Sequence, residues 1–495
     1  MSEASGMQRE TKAANYHPEP SADGVAGYEF RLLIDGELLD GASDFAVIDP
    51  GSGRVFARAP DASRPQLDAA VAAARRAQPG WAGLSDVERR ARLAAFAQGM
   101  RDRAAGIAQI FTREQGQSLA HATREILGAA RLIEAVSHIE VHPELLFEAP
   151  GIRRELHYRP LGIVGAITPW NVPIMMAAGK IAEALQAGNT MLLKPSPYTP
   201  LATLMLGEVA ARSLPPGVLN ILSGGNDLGA WIVEHPDVDM ITFTGSTATG
   251  KHIGAAASVS GLKRIVLELG GNDAAIVLDD VDVARAAPRI FRAAFNNSGQ
   301  ICMGIKRLYV HADKFEEMRD ALVDLAVRAK LGRGAEPDVT MGPLQNEMQF
   351  RRVLELIDDA RTHGAVIETG GVPLACDGYF IPPTIVSNVS DGMRIVDEEQ
   401  FGPVLPIIRF TDVEDALARA NDTRFGLGGS VWTGDAARGL ALARRLEVGT
   451  AWVNTHQELN VDAPFGGAKE SGIGRVMSAI GARTYMEPQV VDVRD

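Results

Sequence analysis

The sequence predicts an α/β protein organised around a doubly wound parallel sheet. Three observations carry that expectation. From Gly162 onward, short apolar runs alternate with helix-length amphipathic segments, and strands separated in this way pair in parallel through crossover connections. A second alternating set runs from Ala274 to about Ala468. The length of 495 residues also exceeds what one hydrophobic core ordinarily holds, so more than one α/β unit is expected.

Taken in order, residues 1–26 are rich in Ser, Glu, Pro, Ala and Gly and read as a disordered tail. Residues 29–57 suggest short strands and turns, with Leu32-Leu33-Ile34-Asp35-Gly36 opening a hairpin. Residues 65–139 form successive amphipathic helices, and Ser85-x-x-Glu88 is a capping box. Residues 153–160 alternate as a strand. Strands are then expected at 163–167, 190–193, 218–222, 240–243 and 265–267, with helices at 174–186, 201–212, 228–234 and 247–258 between and after them. The second set holds strands at 276–278, 306–310, 404–409 and 428–432, and a helix at 283–297 that leads towards Cys302. Residues 484–493 form an apolar extended segment, a strand that another subunit could pair.

Composition removes several classes of function. Lys+Arg 49 against Asp+Glu 62 gives −13, which disfavours nucleic acid and anionic membrane as partners. A local nest of amides with one lysine still suits an anionic cofactor. The only cysteines, Cys302 and Cys376, cannot build a disulfide framework, so a reducing, cytoplasmic setting is expected. No apolar run reaches spanning length, and no secretory leader is visible. His138 and His142 share a helical spacing, but Pro143 ends any helix there and no zincin glutamate follows His138, so no metal is expected.

The chemistry concentrates in two stretches. Leu267-Glu268-Leu269-Gly270-Gly271 sets a carboxylate between an apolar run and a glycine pair, and Gly299-Gln300-Ile301-Cys302 supplies a thiol. A thiolate that attacks a carbonyl and a carboxylate that activates water are what two-step acyl chemistry requires. Burial would raise the pKa of Glu268, as a base working near neutrality needs. Each has an ordinary reading as well: a small buried thiol, and a strand-end glutamate paired with an arginine. Phe243-Thr244-Gly245-Ser246 joins a strand to a helix, where glycine and a helix N-terminus favour a pyrophosphate. In Thr168-Pro169-Trp170-Asn171-Val172-Pro173 two prolines fix a loop at the carboxyl end of the first strand, so that Asn171 can donate to a developing oxyanion.

These words, with Lys194-Pro195-Ser196, Glu398-Glu399-Gln400-Phe401-Gly402-Pro403-Val404 and Pro464-Phe465-Gly466-Gly467, resemble the aldehyde dehydrogenase superfamily in content and order from about Glu29 to Val493. The resemblance implies a Rossmann-like cofactor domain (27–142 and 161–270), an α/β catalytic domain (271–470) and a small β oligomerisation arm (143–160 and 484–495) that makes a homodimer or homotetramer. It implies Cys302 as nucleophile, Glu268 as base, and Asn171 with the Cys302 N–H as oxyanion hole. Lys194 and Glu399 would meet the ribose hydroxyls, Ser246 the pyrophosphate, and Trp170 and Phe401 the rest of the dinucleotide. Thr168, Ser196, Pro197, Gly225, Phe243, Gly245 and Leu269 would line the same cofactor. The implied reaction oxidises a small-molecule aldehyde to its acid with NAD, or with NADP, without acylating coenzyme A.

Two departures from the family pattern stand out. Pro197 occupies the position where many NAD-preferring members carry an acidic residue, so charge discrimination against a 2′-phosphate is missing. Val476 follows Arg475 where many members have a glutamate, so a proton relay through Lys180 to Glu268 would lack its outer end. On the substrate side, Val172, Met175, Met176, Phe295, Ile301, Met303 and Phe465 would line an apolar tunnel that Gly179 widens, which points to a medium-to-large hydrophobic or aromatic aldehyde. The polar loop Thr455-His456-Gln457-Glu458-Leu459-Asn460 at its mouth is expected to be solvated. Two alternatives remain open on residues alone: a cofactor-independent cysteine hydrolase, and a silent dinucleotide-binding relative.

Overall fold

The computed structural model describes residues 28–494, so the tail expected over 1–26 lies outside the described residues. The βα rhythm becomes an eight-stranded sheet. Its parallel centre runs Leu219–Ile221, Thr190–Lys194, Ile163–Ile167, Met240–Thr244, Arg264–Glu268. The chain starts at Ile163–Ile167, steps outward through two strands, then returns to the other side of its starting strand. A crevice therefore opens beyond the carboxyl ends of Ile163–Ile167 and Met240–Thr244, the place where open α/β sheets bind ligands. Ile163–Ile167, Thr190–Lys194 and Met240–Thr244 are buried at every residue, as strands covered on both faces must be.

The hairpin expected at residue 32 is present: Leu32–Ile34 pairs with Glu37–Leu39 across Asp35 and Gly36, both at positive φ, and extends the sheet at one edge. At the other edge Gly472–Ile473 runs antiparallel to the glutamate strand, with Gly472 opposite Glu268. The Ser85–Glu88 capping box forms as expected, and a second one, Ser63 with Gln66, starts the preceding helix.

The second set folds into a seven-stranded sheet, parallel except for Val366–Thr369 at its edge. Asp273–Val277 and Ile305–His311 lie side by side at its centre, with separate apolar clusters packed around the sheet.

Two expectations need correction. The helix before Cys302 ends at Phe295; residues Asn296–Gly299 then form a tight 3-10 turn in which Asn297, Ser298 and Gly299 all take positive φ. Helical periodicity could not reveal that reversal. The C-terminal strand begins at Met486 and runs to Arg494, later than the expected start at residue 484 because Ser478–Thr484 forms a short helix, and it pairs along its length with Ile152–Pro160 of the same chain. With Glu144–Ala149 these make a three-stranded sheet that leaves Leu145, Leu146, Phe147, Val490, Val491 and Val493 exposed. Among the described residues no helix is long and apolar enough to cross a membrane.

Candidate active site

Glu268 closes its strand in a buried position, and its Oε1 has no hydrogen-bond partner in the protein. Burial pushes the carboxyl up to about 8; Lys180 opposes this, Glu183 reinforces it, and Arg475 opposes it again. An unpaired buried carboxyl that titrates near neutrality has the property a general base needs. Gly466 keeps the space open, since a Cβ there would come within 2.9 Å of Glu268 Oε1.

The glycine pair carries the chain from this base to the thiol. Gly271 lies against the Cys302 carbonyl, where a Cβ would stand 2.7 Å from the oxygen, and Gly270 faces the Glu399 carboxylate. Cys302 is a free, half-buried cysteine. Burial pushes its thiol up to about 12; Lys306 opposes, while Glu268, Glu399 and Asp273 add to the rise. At neutral pH the resting group is thus a protonated thiol, and its activation requires a base.

The loop around the thiol is braced from several directions. Asn171 Nδ2 donates to the Gln300 carbonyl at 2.8 Å, and the Asn171 carbonyl accepts from Asn297 at 2.9 Å and Gln115 at 3.1 Å. Sequence reasoning missed Lys306. Its buried ammonium donates to the carbonyls of Ile301 at 2.8 Å and Cys302 at 2.7 Å, and lies 3.6 Å from Glu399. The only sequence signal was a lysine at the head of a buried strand. His456 was also misread: it is buried rather than solvated, and bridges Ser430 Oγ at 2.9 Å and the Met303 carbonyl at 3.1 Å. A polar run cannot show which of its members turns inward.

The crevice beside the base collects the other residues. Ser246 caps helix Thr247–Gly261, accepting from Thr249 N at 3.2 Å, and Gly225 caps helix Asn226–Glu234 with open space where a Cβ would be. Both helices follow parallel strands, so two N-termini point into one crevice and favour an anion there. Phe243 packs against Gly245, and Leu269 against Gly250. Thr168 Oγ1 and Thr244 Oγ1 are buried without partners. Burial lowers the Lys194 ammonium to about 8, against Asp61, and it donates to the Pro195 carbonyl at 3.3 Å. Glu399 accepts from Gly271 N at 3.1 Å, and burial raises its pKa. Trp170 and Phe401 meet edge to face at 5.3 Å. Ser196 Oγ accepts from Tyr198 N at 3.3 Å, and Pro197 beside it is uncharged. Unpaired hydroxyls, a buried ammonium with spare donors and two open helix N-termini fit a dinucleotide.

The Aldehyde dehydrogenase family model matches residues 39–491. The chain belongs to the aldehyde dehydrogenase family. It is 38% identical over 465 residues to aldehyde dehydrogenase LUC3 of a Fusarium species, covering 93% of this chain and 98% of that protein. Human retinaldehyde dehydrogenase 3 is 36% identical over 475 residues, covering 94% and 93%. A solved NAD+ complex of aldehyde dehydrogenase from Bacillus cereus superposes at TM-score 0.91 with 33% identity, covering 97% of this chain and 100% of that one. The enzyme is an NAD(P)-dependent aldehyde dehydrogenase.

A cavity of about 600 Å³ opens among residues 116–124, the end of helix Val283–Phe295 and the loop at 456–458. Of the eight expected tunnel residues, only Phe295 is on its wall, beside Phe291 and Met341. Met175, Met176, Val172, Gly179 and Met303 are half-buried elsewhere, and Ile301 and Phe465 are buried. His121, Arg124, Arg292, Gln457 and Glu458 also reach this wall, while Cys302, Glu268 and Asn171 do not. Those residues come from segments far apart in sequence, which no single motif could show. His138 and His142 hold no common centre: His138 bonds the Glu134 carbonyl and His142 pairs with Glu140.

Proposed function

We propose that this aldehyde dehydrogenase works through a Cys302 thioester that water, activated by Glu268, hydrolyses to the free acid. The single observation that carries this reading is the pairing of an unpartnered buried carboxyl raised to about 8 with a thiol that needs a base. Glu268 accepts the thiol proton, Cys302 Sγ adds to the aldehyde carbon, and the carbonyl oxygen becomes an oxyanion. The Asn171 amide and the Cys302 N–H donate to that oxyanion. A bound nicotinamide supplies the acceptor for the hydride that leaves this carbon. Glu268 releases the thiol proton to solvent before hydrolysis and, ionised again, takes a proton from water; the hydroxide adds to the thioester carbonyl, and Cys302 departs as thiolate. Lys306 holds the Cys302 carbonyl throughout, so Sγ stays aimed.

Lys194 and Glu399 hold the ribose hydroxyls, Ser246 and Gly225 present helix N-termini to the pyrophosphate, and Trp170 and Phe401 flank the crevice. Thr168, Phe243, Gly245 and Leu269 shape its floor, with Ser196 and Pro197 at its ribose end. The preferred cofactor is NAD, with NADP tolerated because no carboxylate stands at Pro197.

The substrate is a medium-to-large aldehyde with an apolar or aromatic body. The apolar residues Val172, Met175, Met176, Ile301, Met303 and Phe465 around the catalytic words support this reading, and one relative carries the name retinaldehyde dehydrogenase. The three-stranded sheet with its exposed apolar residues makes a homodimer or homotetramer. Formation of reduced nicotinamide with NAD and NADP, over a panel of aliphatic and aromatic aldehydes and with Cys302→Ala as control, tests this reading. Larger apolar aldehydes should give the higher kcat/KM; a preference for two-carbon aldehydes would contradict it.

A further inference from the structure

The helix that carries Lys180 carries a second buried charge one turn later. Glu183 is 4% exposed, and its spacing from Lys180 puts both on one face of Pro173–Gln186. Its Oε1 accepts the backbone N–H of Met477 at 2.5 Å, in the half-buried turn that also holds Val476. The Tyr485 hydroxyl reaches the Glu183 carboxyl and also lies 3.2 Å from Thr242 Oγ1. Lys180 Nζ donates to that same Thr242 Oγ1 at 2.9 Å. Thr242 lies on the strand next to the one that ends in Glu268.

The charged and titratable groups facing this cluster are Lys180 on the same helix, Glu268 from the strand, Tyr485 from the end of the last helix, and Arg475 beside Glu268. Lys180 is the one fully buried cation against two buried carboxyls, with the guanidinium of Arg475 only half-buried at the edge, and burial leaves the two carboxyls sharing a proton. Burial raises both, and Lys180 pulls both down. Glu268 takes up a proton in each round of hydrolysis and must lose it before the next. Its own Oε1 has no protein partner through which to do so.

We propose that Glu183 is the outer end of the proton path that resets Glu268, brought from the helix to the turn where Val476 offers no carboxylate. The proposal rests on Glu268 being the base of hydrolysis. Glu183 releases its proton at the half-exposed turn; Lys180 then gives one proton to Glu183 and takes one from Glu268, with Thr242 and Tyr485 holding the hydrogen bonds between Lys180 and Glu183. The two carboxyls again share one proton against one ammonium. Glu183 touches neither substrate nor cofactor: it is a positioning residue acting through Lys180.

The test uses p-nitrophenyl acetate, which acylates a thiol without a dinucleotide. The p-nitrophenol burst reads attack by Cys302, and the steady phase reads hydrolysis. Glu183→Gln keeps an acceptor for the Met477 N–H, so the fold is retained. It should leave the burst intact and slow the steady phase roughly tenfold. The acid limb of the steady phase should also move to lower pH, because the carboxylate that raises Glu268 is gone. Glu183→Gln combined with Val476→Glu should recover most of the lost rate. A Glu183→Gln steady phase and pH profile that coincide with wild type would overturn the proposal and leave Glu183 as a cap for the turn. A Glu268→Gln enzyme with an unchanged steady phase would instead remove the base itself, and with it the reading on which the proposal stands.

Discussion

Gly271 rests against the carbonyl oxygen of Cys302, so close that a Cβ would stand 2.7 Å from it. The same Cβ would lie 2.9 Å from Asp273 Oδ1 and from Leu427 Cβ, leaving no direction in which to relax. The glycine after the base is thus a packing requirement of the thiol loop.

Gly271→Ala should fold, at a cost of about 1–3 kcal/mol for overpacking. Its kcat should fall roughly a hundredfold, because the nucleophile moves by a fraction of an ångström. Thermal unfolding and steady-state kinetics on one preparation check both halves.

Glu268 predicts two pH dependences. As base it must be ionised, so kcat should climb with pH towards about 8. A carboxyl raised from 4.5 to about 8 keeps its proton in the folded protein after the unfolded chain has lost it. Its contribution to stability is complete below pH 4.5 and is lost as pH rises through about 8. Wild type should therefore lose stability relative to Glu268→Gln across that window in denaturant titrations, and equal pH dependence would contradict the assignment.

Lys306→Met removes the donor that holds the Cys302 carbonyl and leaves Glu399 buried beside no cation. A loss of roughly 3 kcal/mol is expected from breaking such a pair. The thiol should also become less reactive, since Lys306 opposes the rise in its pKa. Alkylation rates against pH should shift upward relative to wild type.

Much of the fold was legible because parallel strands buried on both faces are continuous apolar runs. The catalytic words were legible because each pairs a reactive group with local glycine or proline. His456 and Glu183 were not, because each acts on a segment distant in sequence, His456 on Met303 and Glu183 on Met477; Lys306 was not because its target is a backbone carbonyl only four residues away, which no residue pattern marks. The reversal at Asn297 and Ser298 was hidden for a related reason. Neither residue is a glycine, and tertiary packing sets their positive φ.

Pro197→Glu should restore discrimination between cofactors. A carboxylate near the ribose end would repel a 2′-phosphate by about 1 kcal/mol in a solvated setting. NADP should then bind roughly fivefold more weakly while NAD is little changed, as dinucleotide titration by fluorescence would show.

The account turns on a thioester at Cys302 that Glu268 hydrolyses, and the intact mass of Glu268→Gln after mixing with aldehyde and NAD tests it most directly. An acyl group should build up on Cys302 more slowly than in wild type, because the thiol has lost its base, and then persist, with no more than one equivalent of reduced nicotinamide per chain and little further turnover. Continuous turnover at the wild-type rate with no adduct would contradict it.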